Sequence, residues 1–290
     1  KTAYEIYQCD WSSDVCSSDL DKVGQVLGLL SDSKSQLRQD LFVLVELGFK
    51  SNGFFVEVGA ANGVDTSNTY LLEKRFGWTG ILAEPAKCWH DALKNNRSAN
   101  IEAACVWRDS NSILQFNEVD SPFYSTIGLF SELDHHKEKR REGKVYDVGT
   151  ISLNDLLAKY RAPRRVDYLS IDTEGSEFEI LSNVDFGQYS FEVITCEHNH
   201  TPMREFIQQL LPLRGVLDVI GGRGLEHGRH VLRHVRQRGV GAGGDALHAL
   251  RAILGDINRR LATRDILRLR EAPARAHKAA GRERARQIGR

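Results

Sequence analysis

The sequence lacks any hydrophobic run long enough to cross a bilayer. No apolar stretch reaches the ~18 residues that a spanning helix needs. The longest, Leu41–Phe49 (LFVLVELGF), carries Glu46 and reads as a core segment. A positively charged start followed by an apolar stretch is also missing, so no secretory signal is expected. Cysteine is sparse: Cys9, Cys16, Cys88, Cys105 and Cys196 form no CxxC pair and no Cys/His spacing suited to zinc. Lone reduced thiols in a cytoplasmic protein are the expectation. Aromatic residues stop at Phe206, and past Arg214 the chain turns to Gly, Ala, Leu, Arg and His. Aromatics supply much of the area that a core buries, so this tail is poorly equipped to build one.

What is present suits one large domain or two small ones. The apolar (41%) and charged (27%) fractions are ordinary for a globular protein. The net charge of +0 hides a split. Residues 1–214 carry about ten excess acids and residues 215–290 about ten excess bases. Four stretches follow. Residues 1–20, with the near-repeat Ser12-Ser13-Asp14 and Ser17-Ser18-Asp19, show neither strand nor helix periodicity and resemble translated sequencing-adapter read-through, an arm outside the fold. Residues 21–50 read as one or two helices, residues 51–214 as the main domain, and residues 215–290 as a basic tail. Its Arg/Gly/Ala/Leu text is what a frame shifted near Leu213–Val216 would produce. The runner-up is a genuine basic helical extension, since Leu247, Leu250, Ile253, Leu254, Ile257 and Leu261 recur at helical spacing. Its arginines could touch nucleic acid or acidic lipid, with plain solvation as the simpler alternative.

The middle alternates strands and helices. Strands are expected at Phe54–Val58, Gly80–Glu84, Ile101–Val106, Val166–Ile171 and Phe191–Cys196. Helices are expected from Gln36 to Phe49, from an Asp65 or Thr66 cap to Phe76 with Gly77 as the stop, near Lys87–Asn95, from a Ser152 cap to Tyr160, from Ser176 to Ser182 and from Pro202 to Leu211. Ser110–Gly149 reads as irregular, with a charged helix near Glu132–Arg141 in which His135 and His136 are solvated. This rhythm predicts an α/β fold, a doubly wound, mostly parallel sheet of Rossmann-like type. In such sheets ligands sit beyond the carboxyl ends of the strands. Those ends carry Glu57-Val58-Gly59, Ala83-Glu84, Cys105, Asp172-Thr173-Glu174 and Glu197-His198-Asn199-His200.

Two further absences narrow the ligand. The turn Gly59-Ala60-Ala61-Asn62-Gly63 lacks the middle glycine of GxGxxG, and acidic Glu57 precedes it, which is unwelcome beside a pyrophosphate. No GK[ST] follows, which excludes a P-loop. A nucleoside without phosphates fits better, and S-adenosyl-L-methionine is one. Glu57 could accept from its ammonium, and the backbone of Gly59–Gly63 can pass close to the nucleoside. Glu84, about 20 residues past the turn, is spaced to accept from a ribose diol. The bland alternative is a plain strand-to-helix turn with Glu84 as a surface acid.

The stretches SQLRQDLFVL, GFFVEVGAANGVDTSNTYLLEKRFGWTGILAEP, ISLNDLL and VDYLSIDTEGSEFEIL, within Ser35 to Leu211, resemble the FkbM family of class I S-adenosylmethionine-dependent methyltransferases. Asp172-Thr173-Glu174-Gly175-Ser176-Glu177 is similar to the family's D-x-E-G-x-E. The resemblance implies a seven-stranded sheet and O-methylation of a hydroxyl on a natural product or glycan. It also implies cofactor positions at Glu57, Gly59, Ala60, Asn62, Gly63 and Glu84, with Asp172 and Glu174 in the signature after the fourth strand. The family's two closing strands are not legible in the tail and are expected to be missing.

Methyl transfer is an in-line displacement in which alignment supplies most of the acceleration. An alcohol acceptor still gains from a base. His198 is the first choice, its pKa lying near neutrality, with Asp172, Glu174 and His200 as alternatives and Asp172 better suited to orienting the ligand. No metal is assigned, although Asp172, Glu174, His198 and His200 are residue types that bind divalent ions. A small-molecule or glycan acceptor is the expected partner. Nucleic acid is not, because the acidic middle repels phosphates and Ser121-Pro122-Phe123-Tyr124 only loosely resembles an amino-methylating motif. The competing readings are a nucleic-acid methyltransferase, a catalytically inactive nucleoside-binding domain and an NAD-dependent dehydrogenase. Composition does not address the oligomeric state.

Overall fold

The computed structural model describes residues 13–120, 122–131, 137–197, 203–213, 218–220 and 229–233. The chain divides into Lys1–Ala242 and Gly243–Arg290, and every described residue lies in the first unit. Eleven strands are found among the described residues: β1 (Phe54–Val58), β2 (Thr79–Ala83), β3 (Asn100–Glu102), β4 (Cys105–Trp107), β5 (Ile113–Glu118), β6 (Thr126–Ile127), β7 (Lys144–Ser152), β8 (Arg165–Ile171), β9 (Ser190–Glu197), β10 (Asp218–Ile220) and β11 (Arg229–Arg233). The helices are α1 (Ser13–Leu29), α2 (Gln39–Glu46), α3 (Tyr70–Phe76), α4 (His90–Asn96), α5 (Lys137–Arg140), α6 (Leu153–Lys159), α7 (Glu177–Ser182) and α8 (Met203–Leu213).

Seven strands form one sheet in the order β10-β11-β9-β8-β1-β2-β3. Pairings from β9 through β8, β1 and β2 to β3 are all parallel. β11 runs antiparallel to both β9 and β10. The central strands are buried along almost their whole length, as a sheet covered on both faces requires. On one face Val56, Val58, Ile81, Leu169 and Ile194 pack with Leu156 and Leu157 of α6, Ile180 and Leu181 of α7, and Ile207 and Leu211 of α8. α1, α2 and α3 contact one another in turn, and α2 also contacts β9. Leu41, Leu44, Leu71 and Leu72 are fully buried there. The fold is the doubly wound α/β architecture that the alternating rhythm implies.

Several boundaries differ from expectation for local reasons. The third strand is two: β3 stays in the main sheet, whereas β4 pairs with β7 in a second sheet of order β4-β7-β5-β6. The break at Ala103-Ala104 is held by the Ala104 N–H donating to Glu102 Oε1 at 3.0 Å. The stretch expected to be irregular between Ser110 and Gly149 supplies β5, β6 and most of β7, paired antiparallel. Its core is Cys105, Trp107, Phe116, Ile127 and Val148, spread over strands that are distant in sequence, so no single window displays it. Helix α3 starts at Tyr70 rather than after Asp65 or Thr66, because Ser67 Oγ accepts the Thr69 and Tyr70 N–H groups. Gly77 ends that helix in the left-handed conformation, and Ser152 caps α6 by accepting from Asp155 N, both as expected. α1 begins at Ser13, inside the stretch read as an arm. β10 and β11, three and five residues long, lie in the region read as a tail. Antiparallel pairing uses backbone groups alone, so it needs none of the aromatics that the tail lacks. The proposed helix at Asp245–Leu269 lies outside the described residues, as do His135 and His136. Cys88, Cys105 and Cys196 are free thiols. No described helix is long and apolar enough to cross a membrane.

Candidate functional site

The carboxyl edge of the sheet carries the turn after β1. Gly59 adopts φ 85°, and a Cβ there would lie 1.8 Å from the Asp172 carbonyl oxygen. The Asp172 N–H meanwhile donates to Val58 O at 2.9 Å. The backbones of the β1 turn and the β8 loop therefore touch, and only glycine fits between them. Gly63 is in the left-handed region as well (φ 76°), with Arg97 and Leu93 occupying the space that a side chain would need.

Glu57 sits below this turn and is buried. Its carboxylate accepts from Ser67 Oγ (3.0 Å), Asn68 N (2.7 Å) and Thr69 Oγ1 (2.5 Å), with Arg97 Nη1 at 3.7 Å. The Arg97 side chain is 0% exposed. It donates to Gly63 O (2.9 Å), Ser67 Oγ (3.1 Å), Thr69 Oγ1 (2.9 Å) and Glu73 Oε2 (2.8 Å). Each hydroxyl thus gives its proton to Glu57 and takes one from Arg97, which lets a buried ion pair exist with its polar groups satisfied. Burial pushes the Glu57 carboxyl up despite Arg97. Burial also raises the Glu73 carboxyl, but there the bonds from Ser98 N and Arg97 outweigh it and hold the group low. Glu57, expected to face a ligand, is engaged from within the fold, and Arg97 is a central residue that no sequence motif indicates.

Glu84 is on the same side as the turn. Its Oε2 accepts from Ala61 N and its Oε1 from Ala86 N, both at 2.8 Å, so one carboxylate ties the β1 turn to the segment after β2. Burial raises it to about 7 against these two bonds, helped by the negative charges of Glu118 and Asp172. Asn62 shapes the turn from outside, its Oδ1 accepting from Val64 N and Asp65 N at 2.9 Å. Ala60 is buried, and its N–H donates to Ala83 O.

The loop after β8 is organised by Glu177, the last acid of the DTEGSE stretch. Glu177 Oε1 accepts from Thr173 N (2.9 Å), Thr173 Oγ1 (3.0 Å) and Gly175 N (3.1 Å). Glu174, at φ 58°, accepts at Oε2 from Arg140 Nη2 (3.0 Å), and its carbonyl accepts from Thr126 Oγ1 (3.0 Å). Buried Arg140 also donates to Tyr124 O at 2.7 Å. On the other side, Tyr146 of β7 donates to Glu118 (2.6 Å) and accepts from Lys87 N (3.0 Å), while Trp89 packs in a tilted arrangement on Phe123, ring centroids 5.1 Å apart. The second sheet therefore reaches both the segment after Glu84 and the loop containing Glu174.

Asp172, Glu174 and Glu197 each bring a carboxylate oxygen to within 4.8 Å of one another. Asp172 and Glu197 also line a small, partly open cleft together with Gln39, Asn68, Ser170 and Thr195. Of the site residues expected from sequence, Gly59, Ala60, Asn62, Gly63 and Glu84 come together with Asp172 and Glu174 at this edge. His198 and His200 lie outside the described residues. The additions are Glu197, Glu177, Arg97 and Arg140. Glu177 lies in the DTEGSE stretch and Glu197 in the strand end Glu197-His198-Asn199-His200, whereas Arg97 and Arg140 lie in no stretch that sequence singles out.

Residues 57–239 match the family model described as the methyltransferase FkbM domain. No curated protein matches the sequence. Among solved structures, the chain is similar to a precorrin-6y C5,15-methyltransferase from Geobacter metallireducens GS-15, at 13% identity over 67% of this chain and 84% of that one, with a TM-score of 0.36. It is also similar to the METTL16 MTase domain (13% identity, 66% and 63%, TM-score 0.34). A SAM dependent methyltransferase from Aquifex aeolicus is a third (12% identity, 73% and 98%, TM-score 0.33).

Proposed function

The chain belongs to the FkbM methyltransferase family, and we propose that it methylates a hydroxyl group on a glycan or a natural-product-like small molecule, with S-adenosylmethionine as donor. The cofactor supplies an activated methyl group on a sulfonium. The residues present fit it. Glycine at 59 lets the β1 turn close directly on the Asp172 backbone, which keeps the polar ends of β1, β2 and β8 at one edge, where such sheets hold their ligands. The Glu84 carboxylate lies against that turn, 2.8 Å from Ala61 N, and this placement is the observation that carries the proposal. In this reading Glu84 accepts from the ribose hydroxyls when ionised, exchanging its bonds to the Ala61 and Ala86 N–H groups for bonds to the ligand.

The chemistry asked of the protein is alignment and proton removal. Asp172 and Glu174, at the carboxyl end of β8, orient the acceptor hydroxyl, and the Arg140 guanidinium fixes Glu174. The wall toward the acceptor is the second sheet, whose Thr126 bonds the same loop. His198 directly follows β9 and is the proposed base. A positioned base contributes typically 10²–10⁴-fold.

Titration calorimetry of the purified full chain with S-adenosylmethionine tests the donor assignment. Glu84→Ala should abolish measurable binding, and unchanged affinity would refute the ribose role. His198→Ala should retain that affinity while turnover on a panel of hydroxyl acceptors falls at least a hundredfold. Methyl found on nitrogen rather than oxygen in the product would refute the acceptor class.

A further inference from the structure

The segment after β2 has no cap of its own. Lys87–Trp89 forms a 3₁₀ turn that runs into α4, and the first amides of such a turn lack partners within it. A polar side chain just ahead usually accepts from them. Here that position is Ala86, which makes no side-chain cap. The acceptors come instead from the second sheet. Lys87 N donates to Tyr146 Oη of β7 at 3.0 Å, and Cys88 N donates to Glu118 Oε2 of β5 at 3.3 Å, across separations of 59 and 30 residues. Tyr146 Oη donates to the same Glu118 oxygen at 2.6 Å, so the two caps form one unit. The Lys87 ammonium lies over the Tyr146 ring, 4.1 Å from its centroid.

Ala86 itself is seated in the second sheet. It is buried in one core with Cys105, Trp107, Phe116, Ile127 and Val148. Its N–H is the donor to Glu84 Oε1. One of the two bonds that place the Glu84 carboxylate therefore comes from a residue packed into that sheet, and the next two residues are tied to the sheet's rim. The main chain of Glu84 is fixed from elsewhere: its N–H donates to Glu102 O at 2.9 Å, and His90 Nε2 donates to its carbonyl at 2.8 Å. What the second sheet adds is the direction of the carboxylate.

The capping unit also carries a charge. Burial works against the Glu118 carboxylate, but the bonds from Tyr146 Oη and Cys88 N outweigh it and hold the group low. Burial and the bond to Glu118 push the Tyr146 hydroxyl up, so it remains a donor. A negative charge is thereby kept near Glu84, where it adds to the effect of burial.

We propose that Glu118 and Tyr146 are positioning residues for methyl transfer, acting through Glu84: from the second sheet they fix Ala86–Cys88 and so aim the Glu84 carboxylate at the cofactor. This rests on the methyl-donor reading above.

Calorimetry of the full chain with S-adenosylhomocysteine, read above and below the Glu84 value of about 7, tests it. Tyr146→Phe and Glu118→Ala should each weaken binding about tenfold. The double variant should lose little more than either single one, because both act on one segment. Glu118→Gln keeps an acceptor and drops the charge. Above the Glu84 value it should restore the affinity lost in Glu118→Ala. Its acid limb should move to lower pH, since Glu84 then ionises more readily. A residue that only supports the fold would lower the denaturant midpoint without moving that limb. Wild-type affinity in both Tyr146→Phe and Glu118→Ala overturns the proposal. So do losses that add in the double variant, and so does an acid limb that stays in place in Glu118→Gln. Wild-type protein that does not bind S-adenosylhomocysteine would instead remove the methyl-donor reading itself, and this proposal with it.

Discussion

The turn after β1 and the loop after β8 leave neighbouring strands at the same edge of the sheet, and each is organised around one buried glutamate. Around the turn, Glu57 meets a guanidinium, and two hydroxyls bridge the pair, all contributed between β1 and the end of α4. In the loop, Glu177 meets only the loop's own donors, and the cation is Arg140, which pairs with Glu174 from the end of α5, between two strands of the second sheet. The first device is self-contained. The second depends on an insertion between β3 and α6. A single fold can thus keep the turn after β1 unchanged while the loop after β8 varies with the inserted segment.

Removing the two cations separately tests that difference. Arg97→Ala leaves Glu57 and Glu73 without their buried partner and should cost about 3–5 kcal/mol of stability, read as a lowered denaturant midpoint with loss of cofactor binding. Equal stability would mean that the turn does not depend on the pair. Arg140→Ala should be milder, about 1–3 kcal/mol, since Glu174 can reach water. Its signature is turnover reduced roughly a hundredfold through misplacement of the loop, with cofactor affinity intact. Loss of cofactor affinity here would join the two regions that the comparison separates.

The smallest effect is a pH dependence on the cofactor side. Burial holds Glu84 near 7, and a ribose diol needs the ionised form as acceptor. Affinity for the cofactor should therefore fall by up to about tenfold per pH unit below that value and level off above it. Glu84→Gln should flatten the profile. Free-protein stability has the opposite sign. The folded pKa values of Glu84 (about 7) and Asp40 (about 6) are raised, so their contribution is fully present below the unfolded values, 4.5 and 3.8. It is lost as pH rises through the folded ones.

Much of this was legible in the chain. The apolar strands, the Gly77 stop, the Ser152 cap and the polar strand ends are signals contained in short windows, and they placed Gly59, Gly63 and Glu84 together. The second sheet was not legible, because Cys105, Trp107, Phe116, Ile127 and Val148 form a core only after distant strands pair. Arg97 and Arg140 were hidden for a related reason. An arginine in sequence reads as a surface charge, and nothing nearby in the chain shows that carboxylates and carbonyls will enclose it.

The order of apolar strands and helices, with glycines where backbones must touch, by itself determined the doubly wound sheet and the edge at which the polar strand ends collect. Periodicity and backbone sterics act over a few residues, and sequence records them directly. Tertiary structure alone decided which donors enclose each acid. Glu57, Glu84 and Glu177 are the same residue type at similar strand or helix ends, and their roles differ only in the donors that folding brings to each.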